Sequence, residues 1–504
     1  MKNKSKISIY SLFLFSFSSL VYAGDIVNKK YREEFLSDQA IKNYYKTQVN
    51  VSNYFSRQTS AVNGLVESFR GSSVYSYDVF TRGFIYGKNG VLDAQSFTYD
   101  GAIAAIAYLT CDQPQKAADI LNVYKKEFYC IKNDENYGIF NSYQTDKPAT
   151  QWGLAIGIDG DRMHVGPTIW VGIAAIQYTA ITGKLDFLPF IIDICKWTES
   201  LPHYTLENDQ RGAVSMGSGW GPDWSKIYST ENIVDHYALL KMLKEIYDLN
   251  NDKIKEIFRQ KGYSDVDINK EMFSIERWLM EAVYDKDKKT FNVGTNENGV
   301  DKTDALDAIS WTIPAIGPQR LLELGVDPYH LMKFADENYL VEDTINNTII
   351  RGYDFTNYEG RKKDYKMVWF EGTGFHIVAM QVMAKFAQEN GQDNRAEYFQ
   401  QKAKYFLNEM DKASAACGMI DGALPYTSKN PGEKEIFTTF YYEWEIPRGR
   451  KGQLVSSASS TGWYIIASSA FDPLSFDKKN VNYKLFNKYP QKPAINGNGK
   501  NGKK

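Results

Sequence analysis

The chain has 504 residues, of which 43% are hydrophobic and 24% charged, with a net charge of −2. That balance suits a folded protein with a large core. It leaves no basic excess with which to hold nucleic acid, and that class of partner is excluded.

The N-terminus stands apart. Lys2, Lys4 and Lys6 precede an uncharged apolar run from Ile7 to Val21, and Val21 and Ala23 supply small residues for a cleavage site. The run is shorter than the ~20 residues a membrane span needs. The expectation is a cleaved export signal over residues 1–23 and a soluble periplasmic or secreted product. Losing three lysines takes the net charge to about −5, and no later stretch reads as a span. Residues 24–92 form an N-terminal segment expected to pack on the main domain, with helical periodicity over 31–49 and a Gly/Ser/Tyr-rich, extended stretch over 72–90.

From residue 93 a pattern repeats. Six short polar or aromatic clusters each open an apolar stretch of helical period: Thr98-Tyr99-Asp100, Gly166-Pro167-Thr168, Ser229-Thr230-Glu231, Thr303-Asp304, Glu371-Gly372-Thr373 and Ser459-Ser460-Thr461. The spacing predicts helix pairs over 98–109 and 114–128, 168–182 and 185–200, 230–248 and 269–283, 304–324 and 328–339, and 373–389 and 393–413. Pro314 is expected to interrupt the fourth inner member. The sixth opening has one clear helix, 461–469, so its partner is expected from elsewhere, with 31–49 as the candidate. Short strand-like runs over 138–143, 212–216, 291–294 and 422–426 are expected to cross the rim. Beyond 475 the chain reads as a C-terminal tail, its Asn/Gly/Lys-rich end disordered.

Repeated helix pairs of this size predict a closed array, an all-α toroid of helical hairpins with short rim strands over 93–475. Such an array gathers the first turns of its inner helices at one end. Four of the six openings carry acids there. Glu231 and Asp235 are four apart and share a helical face, and Ser229 or Thr230 is expected to cap that helix. Glu371 lies between Trp369-Phe370 and Gly372, where aromatic neighbours raise a carboxyl pKa. Asp100 follows Tyr99, and Asp304 and Asp307 stand three apart. Each acid alone has a bland reading as a first-turn residue favoured by the helix dipole.

Tryptophans crowd the same places, among them Trp170, Trp220, Trp224, Trp311, Trp369 and Trp463. Core packing is the alternative for each. Flat rings beside carboxylates suit sugars. His164 and His236 also reach toward the rim. No Gly-x-Ser-x-Gly elbow, Walker A or dinucleotide fingerprint occurs. Asp159-Gly160-Asp161 lacks the remaining ligands of a calcium loop, and no metal or cofactor is expected. Cys111, Cys130, Cys195 and Cys417 have no CxxC spacing. Cys111 and Cys130 end the two members of one hairpin, at opposite ends, and free thiols are expected.

On the residues Phe97-Thr98-Tyr99-Asp100-Gly101-Ala102, Gly166-Pro167-Thr168-Ile169-Trp170, Ser229-Thr230-Glu231-Asn232, Trp369-Phe370-Glu371-Gly372-Thr373 and Ser459-Ser460-Thr461-Gly462-Trp463, the chain resembles the six-hairpin glycosidase-like superfamily over about residues 93–472. It is most similar to that group's poorly characterised exported branch. The Glu-Gly-Gln-Gly-Tyr pattern of family 8 cellulases is missing. The resemblance implies an (α/α)6 toroid. Its members include hydrolases, lyases, epimerases and phosphorylases.

These readings converge on a glycoside hydrolase acting on a poly- or oligosaccharide through two carboxylates. Glu231 is the expected general acid and Glu371 or Asp100 the expected base. Tyr99, Trp170, Trp220, Trp224, Asp235, His236, Asp304, Trp369 and Trp463 are the expected substrate-binding residues. The alternatives are a polysaccharide lyase using Tyr99 with His164 or His236, and a catalytically silent glycan-binding or assembly protein.

Overall fold

The computed structural model describes residues 54–56, 58–70, 76–78, 83–85, 95–130, 138–145, 163–218, 224–249, 251–356, 366–419, 422–429, 437–439, 442–444 and 456–476. The export signal, the 31–49 helix, Trp220, Asp159–Asp161 and the tail beyond 476 lie outside the described residues.

Fourteen α-helices account for most of the described chain: α1 (Thr98–Thr110), α2 (Pro114–Cys130), α3 (Val165–Thr182), α4 (Leu188–Ser200), α5 (Thr230–Asp248), α6 (Asp252–Lys261), α7 (Asp265–Trp278), α8 (Asp307–Ser310), α9 (Thr312–Ile316), α10 (Pro318–Glu323), α11 (Pro328–Asn338), α12 (Phe370–Glu389), α13 (Asp393–Cys417) and α14 (Ala458–Ser468). The extra segment of the third unit is α6, and α7 runs on through a π-helical turn, Leu279–Val283.

The inner helices close a ring. Helix α1 packs on α3, α3 on α5, α5 on α8–α9, that pair on α12, α12 on α14, and α14 on α1. Outside it, α2 packs on α1 and α3, α4 on α3, α7 on α5, α11 on α8 and α12, and α13 on α12 and α14. Beside the α1–α14 contact lies the end of the N-terminal segment. Phe55 there meets the Tyr108 ring at 5.9 Å and approaches Gly462 of α14. The fold is the expected toroid of hairpins.

One backbone hydrogen bond recurs at every inner opening. The N–H groups of Thr98, Val165, Thr230, Leu306, Phe370 and Ala458 donate to the carbonyls of Asn141, Met216, Val293, Phe355, Tyr426 and Ser68, at 2.8–3.1 Å. Each acceptor lies on the rim crossing that leads to the next inner helix. Ser68, ahead of α1, serves α14 and so closes the ring with the two ends of the domain. A helix leaves its first N–H groups without internal partners, and the neighbouring crossing supplies one here. Phe97, His164, Ser229, Leu306 and Trp369 make no side-chain cap, whereas Ser457 ahead of α14 does, its hydroxyl accepting the Ser460 N–H. The expected Ser229 or Thr230 cap is therefore absent: the Thr230 hydroxyl instead donates to Asn292 O at 2.7 Å, as that of Thr98 does to Phe140 O.

The rim strands are short. Gln95–Phe97 pairs with Ser142–Gln144, Met163–His164 with Gly217–Ser218, and Tyr228–Ser229 with Gly294–Asn296. The run at 422–426 forms only isolated bridges, Pro425 with Ser456 and, just beyond, Thr427 with Trp369. The expected run at 212–216 falls partly in Gln210–Val214, which pairs with His203–Leu206 in a hairpin that was not anticipated, nor was the hairpin of Leu340–Ile345 with Thr348–Tyr353.

The fourth inner unit departs from the single 304–324 helix. It starts at Asp307 and is broken twice, first at Trp311, three residues ahead of Pro314. That proline sits in the first turn of α9, where a missing N–H costs no helical bond. The sharp break comes at Gly317, with φ +93°, ahead of Pro318 at the start of α10. The Lys241 ammonium donates to the freed carbonyls of Pro314 and Ala315 at 3.1 and 2.6 Å.

Helix α3 is also long and apolar enough to cross a membrane, against the sequence reading that nothing after the signal is. Its apolarity belongs to an inner helix enclosed by α1, α2, α4 and α5. At the far end of the toroid, Gln177 Nε2 donates to the carbonyls of Pro473 and Ser475 at 2.8 and 3.0 Å. The segment after α14 is thus tied across the helix ends opposite the openings.

Candidate active site

Helical spacing arranges the inner residues in layers. The mouth layer is Tyr99, Gly166, Glu231, Asp307, Glu371 and Ser459, one from each inner helix. Four residues on, one turn deeper, stand Ile103, Trp170, Asp235, Trp311, Phe375 and Trp463. Another turn down are Ala107, Ala174, Leu239, Ala315, Ala379 and Ala467, all buried. Small residues let the helices converge; the layer above fills the axis with rings.

That aromatic layer spans the ring. Trp170 meets Trp311 at 5.4 Å and Trp463 at 5.5 Å. Phe375 meets Trp311 at 5.0 Å and Trp463 at 5.8 Å. Tyr99 sits over the cluster, 5.6 Å from Trp170 and 6.2 Å from Trp311. Edge-to-face and tilted contacts of this kind favour one fixed arrangement. The result is a rigid floor beneath the acids.

The acids interact with one another. Glu231 is half-buried and makes no hydrogen bond among the described residues. Burial, then the charges of Asp307, Asp235 and Glu371, hold its carboxyl well above the usual range. Asp235, fully buried, is also raised by desolvation, against the indole N–H of Trp170 that donates to Oδ2 at 2.8 Å. Burial pushes Asp307 up to about 7, although its carboxylate accepts the Ala308 N–H at 2.7 Å.

Glu371 is different. Burial and the nearby Asp100 push it up to about 8, while the hydroxyls of Ser459 and Tyr99 oppose the rise. Ser459 Oγ donates to Glu371 Oε2 at 2.9 Å. Trp463 Nε1 donates to Tyr99 Oη at 2.6 Å. An indole N–H is only a donor, so the phenol proton of Tyr99 is free to point toward Glu371. Asp100 is pushed to about 7 by burial, moderated by Ser68 and Ser459.

The structure thus brings together Tyr99, Asp100, Glu231, Asp235 and Glu371 from the expected set, with Trp170 and Trp463 below them. Trp369 packs beside this group, 5.2 Å from Phe375 and 5.1 Å from Phe355. Trp170 and Trp463 are about 1% exposed; they support the acids from below rather than offering a face to a sugar. Trp224 stands farther out on the rim, its ring 4.6 Å from that of His164.

Two expected residues lie elsewhere. Asp304 precedes α8 and pairs with Lys288 at 3.0 Å; Asp307 takes the place on the arc, because the helix begins three residues later than expected. His236 is fully buried on another face of α5, where burial, His203 and Arg211 push it down to about 3. It is therefore the uncharged imidazole at neutral pH. Tyr99 also departs from what a lyase base needs, since burial and Glu371 hold its phenol well above the ordinary range.

Sequence reasoning missed Ser459 and Tyr426 as site residues. Tyr426, on the crossing before α14, feels Glu371, Asp100 and Glu231. Among the described residues no group of three acidic, histidine or cysteine side chains is disposed to hold a metal ion. Cys111, Cys195 and Cys417 are free thiols.

No family model matches the chain, and no curated protein matches it. Solved structures do. A glycosidase variant in complex with glucose aligns over 86% of this chain and 98% of its own, at 11% identity and a TM-score of 0.51. Cellobiose 2-epimerase from Bacillus thermoamylovorans aligns over 87% and 99%, at 9% identity and 0.50. A family 76 glycoside hydrolase from a bovine Bacteroides thetaiotaomicron strain aligns over 85% and 77%, at 7% identity and 0.50. The chain shares the fold of these proteins, an (α/α)6 toroid of helical hairpins.

Proposed function

We infer that this protein is an exported glycoside hydrolase of a poly- or oligosaccharide, with Glu231 as general acid and Glu371 as base. The supporting observation is the asymmetry between these two carboxyls. Among the described residues Glu231 receives no hydrogen-bond donor, and burial with Asp307, Asp235 and Glu371 nearby favours its protonated form. Glu371 receives the Ser459 hydroxyl and faces that of Tyr99, two donors that favour its ionised form. Environments that separate two carboxyls in this way assign acid and base.

In this reading Glu231 gives its proton to the glycosidic oxygen as the bond to the anomeric carbon breaks. Glu371 takes a proton from the water that adds to that carbon. Solvent then returns the proton from Glu371 to Glu231. Asp100 shares the Ser459 hydroxyl with Glu371 and acts through it rather than as the base. Asp307 and Asp235 keep Glu231 protonated. Trp224, part-exposed on the rim, is the described ring we assign to stacking on a sugar. The glycosidases among the fold neighbours, one of them holding glucose, favour a sugar ligand. The Tyr99 phenol is held protonated and His236 is buried on another face of α5, which disfavours a lyase built on that pair.

Digestion of a glycan panel, read by reducing ends, tests this with wild type, Glu231→Gln and Glu371→Gln. Release by wild type and loss in both variants is expected. Release with an unsaturated, ultraviolet-absorbing product would mark a lyase. Tight glycan binding without release would mark a binding protein.

A further inference from the structure

A second line of donors reaches Glu371 besides the one through Tyr99. It starts at the opening of α14. The Ser460 N–H donates to Ser457 Oγ at 3.3 Å, and Ser457 Oγ stands 3.1 Å from Ser459 Oγ. Ser459 Oγ in turn donates to Glu371 Oε2 at 2.9 Å. All four residues are buried.

The direction of this line follows from counting protons. A hydroxyl has one proton to give and two lone pairs with which to accept. The Ser459 proton goes to a carboxyl, Glu371 at 2.9 Å or the neighbouring Asp100, and so is not available to Ser457. The bond between the two hydroxyls therefore runs from Ser457 to Ser459. On its other side Ser457 accepts the Ser460 N–H, which leaves its own proton for Ser459.

We propose that Ser457 is a positioning residue for the base, its hydroxyl keeping the Ser459 proton turned to Glu371. The inference rests on reading Glu371 as the base and names what orients its donor. A donor behind Ser459 polarises the Ser459 O–H, and bonds in such a chain strengthen one another by about 10–30% each. It also removes the arrangement in which Ser459 gives its proton to Ser457. Glu371 is then the end of two one-way lines. Their first donors, the Trp463 indole and the Ser460 amide, are N–H groups that cannot accept.

Ser457 is itself fixed from two sides. Its N–H donates to Leu424 O at 2.8 Å, on the crossing that carries Tyr426. Its backbone also pairs with Phe69 of the N-terminal segment, while the adjacent Ser456 hydroxyl accepts Gln58 Nε2 at 3.3 Å. The N-terminal segment thus acts on the base without touching it. The titratable groups that bear on Glu371 are Tyr99 and Asp100 from α1, Glu231 from α5, Asp307 from α8 and Tyr426 from that crossing. None of them bonds to Ser457, so a change at Ser457 reaches Glu371 through Ser459.

Carbon-13 NMR of the full mature protein, labelled at glutamate carboxyls, tests the proposal. The Glu371 signal is the one lost in Glu371→Gln, and it is followed against pH. Ser459→Ala is expected to raise the Glu371 pKa by about one unit, and Ser457→Ala by about 0.3 unit. Ser457→Thr keeps the hydroxyl and is expected to titrate like wild type. In the Ser459→Ala background, Ser457→Ala should add no shift. The acid limb of kcat/KM should move by the same amounts. Ser457→Ala also removes the cap of α14, and if it does not fold, Ser457→Gly, which caps nearly as well as serine, takes its place.

An unmoved Glu371 titration in the Ser457 variant overturns the proposal. So does an equal shift with and without Ser459, or a Thr variant displaced as far as the Ala variant. The NMR readout needs no turnover, so the expected shifts without any glycan cleavage would keep the line of donors and sink the hydrolase reading. Cleavage that depends on Glu371, with an unmoved titration, would do the reverse.

Discussion

Trp463 donates its indole N–H to the hydroxyl of Tyr99 at 2.6 Å, across the contact between the last inner helix and the first. The bond sets the direction of the protons above it. With its acceptor filled, the Tyr99 phenol offers its own proton to Glu371, beside the one from Ser459. A residue that reads as a sugar platform thus acts through the acid on the opposite side of Tyr99. Tyr99→Phe removes a donor that favours the ionised Glu371, so its pKa rises. The acid limb of kcat/KM against pH is expected to move to higher pH, and the same shift is expected, smaller, for Trp463→Phe. An unmoved limb would remove Tyr99 from this role.

The pH optimum follows from the same groups. Glu371 must be ionised to act as base, and it is pushed up to about 8. Glu231 must be protonated, and burial with the charges of Asp307, Asp235 and Glu371 holds its carboxyl well above the usual range. Activity is expected to climb as pH rises through about 8 and to fall only beyond it. A profile already at its plateau at pH 6 would contradict this.

Stability should run the other way. Asp100, Asp307 and Glu371 have folded pKa values raised above the unfolded range, so the folded state binds more protons than the unfolded one. Stability is then greatest below the unfolded carboxyl range and declines as pH rises to about 8. Urea midpoints at pH 5 and pH 8.5 measure it. Asp307→Asn should flatten the slope and raise the midpoint at the higher pH.

Gly374 marks a close approach of α12 to α14. A Cβ there would stand 2.7 Å from Trp463 Cβ and 3.2 Å from its backbone carbon. Gly374→Ala gains about 1 kcal/mol of helix propensity but overpacks a site bounded by backbone, at a cost of about 1–3 kcal/mol. A net loss of stability is expected, with the acid limb shifted as in Trp463→Phe. A more stable variant with an unchanged profile would show that the helices separate freely.

Ring closure gives a further test. Ser68 supplies the carbonyl for Ala458, and Phe55, Leu65 and Val66 are buried against the main domain. Each fully buried side chain of that kind contributes about 1.5–3 kcal/mol. Deleting residues through 70 is expected to lower the thermal midpoint sharply or to prevent soluble folding. A truncated protein as stable as the full chain would mean that the ring closes without its N-terminal segment.

Much of the toroid was legible because inner helices of a closed ring are apolar on most faces and begin at short polar clusters. Glu231 and Glu371 were legible for the same reason, each at the second position of its helix. What the sequence hid was register. Asp304 and Asp307 share a cluster, and only the four-residue step from Asp307 to Trp311 matches the steps Glu231–Asp235 and Ser459–Trp463. Counting that step across all openings would have chosen Asp307. His236 follows Asp235 but lies about 100° around the helix, and the face it meets depends on the unforeseen 203–214 hairpin. Ser459 and Tyr426 carry no signal of their own, since a serine near a helix start and a tyrosine on a rim strand have ordinary local uses.

The division of labour between Glu231 and Glu371 is tested most directly by changing the leaving group. Once the panel supplies a cleaved glycan, Glu231→Gln is assayed on it and on the dinitrophenyl glycoside of the same sugar, whose leaving group needs no protonation. The expected result is a loss of about 10²–10⁴ on the glycan, near-normal cleavage of the dinitrophenyl glycoside, and loss on both for Glu371→Gln. Equal loss on both substrates for Glu231→Gln would contradict its role as the acid.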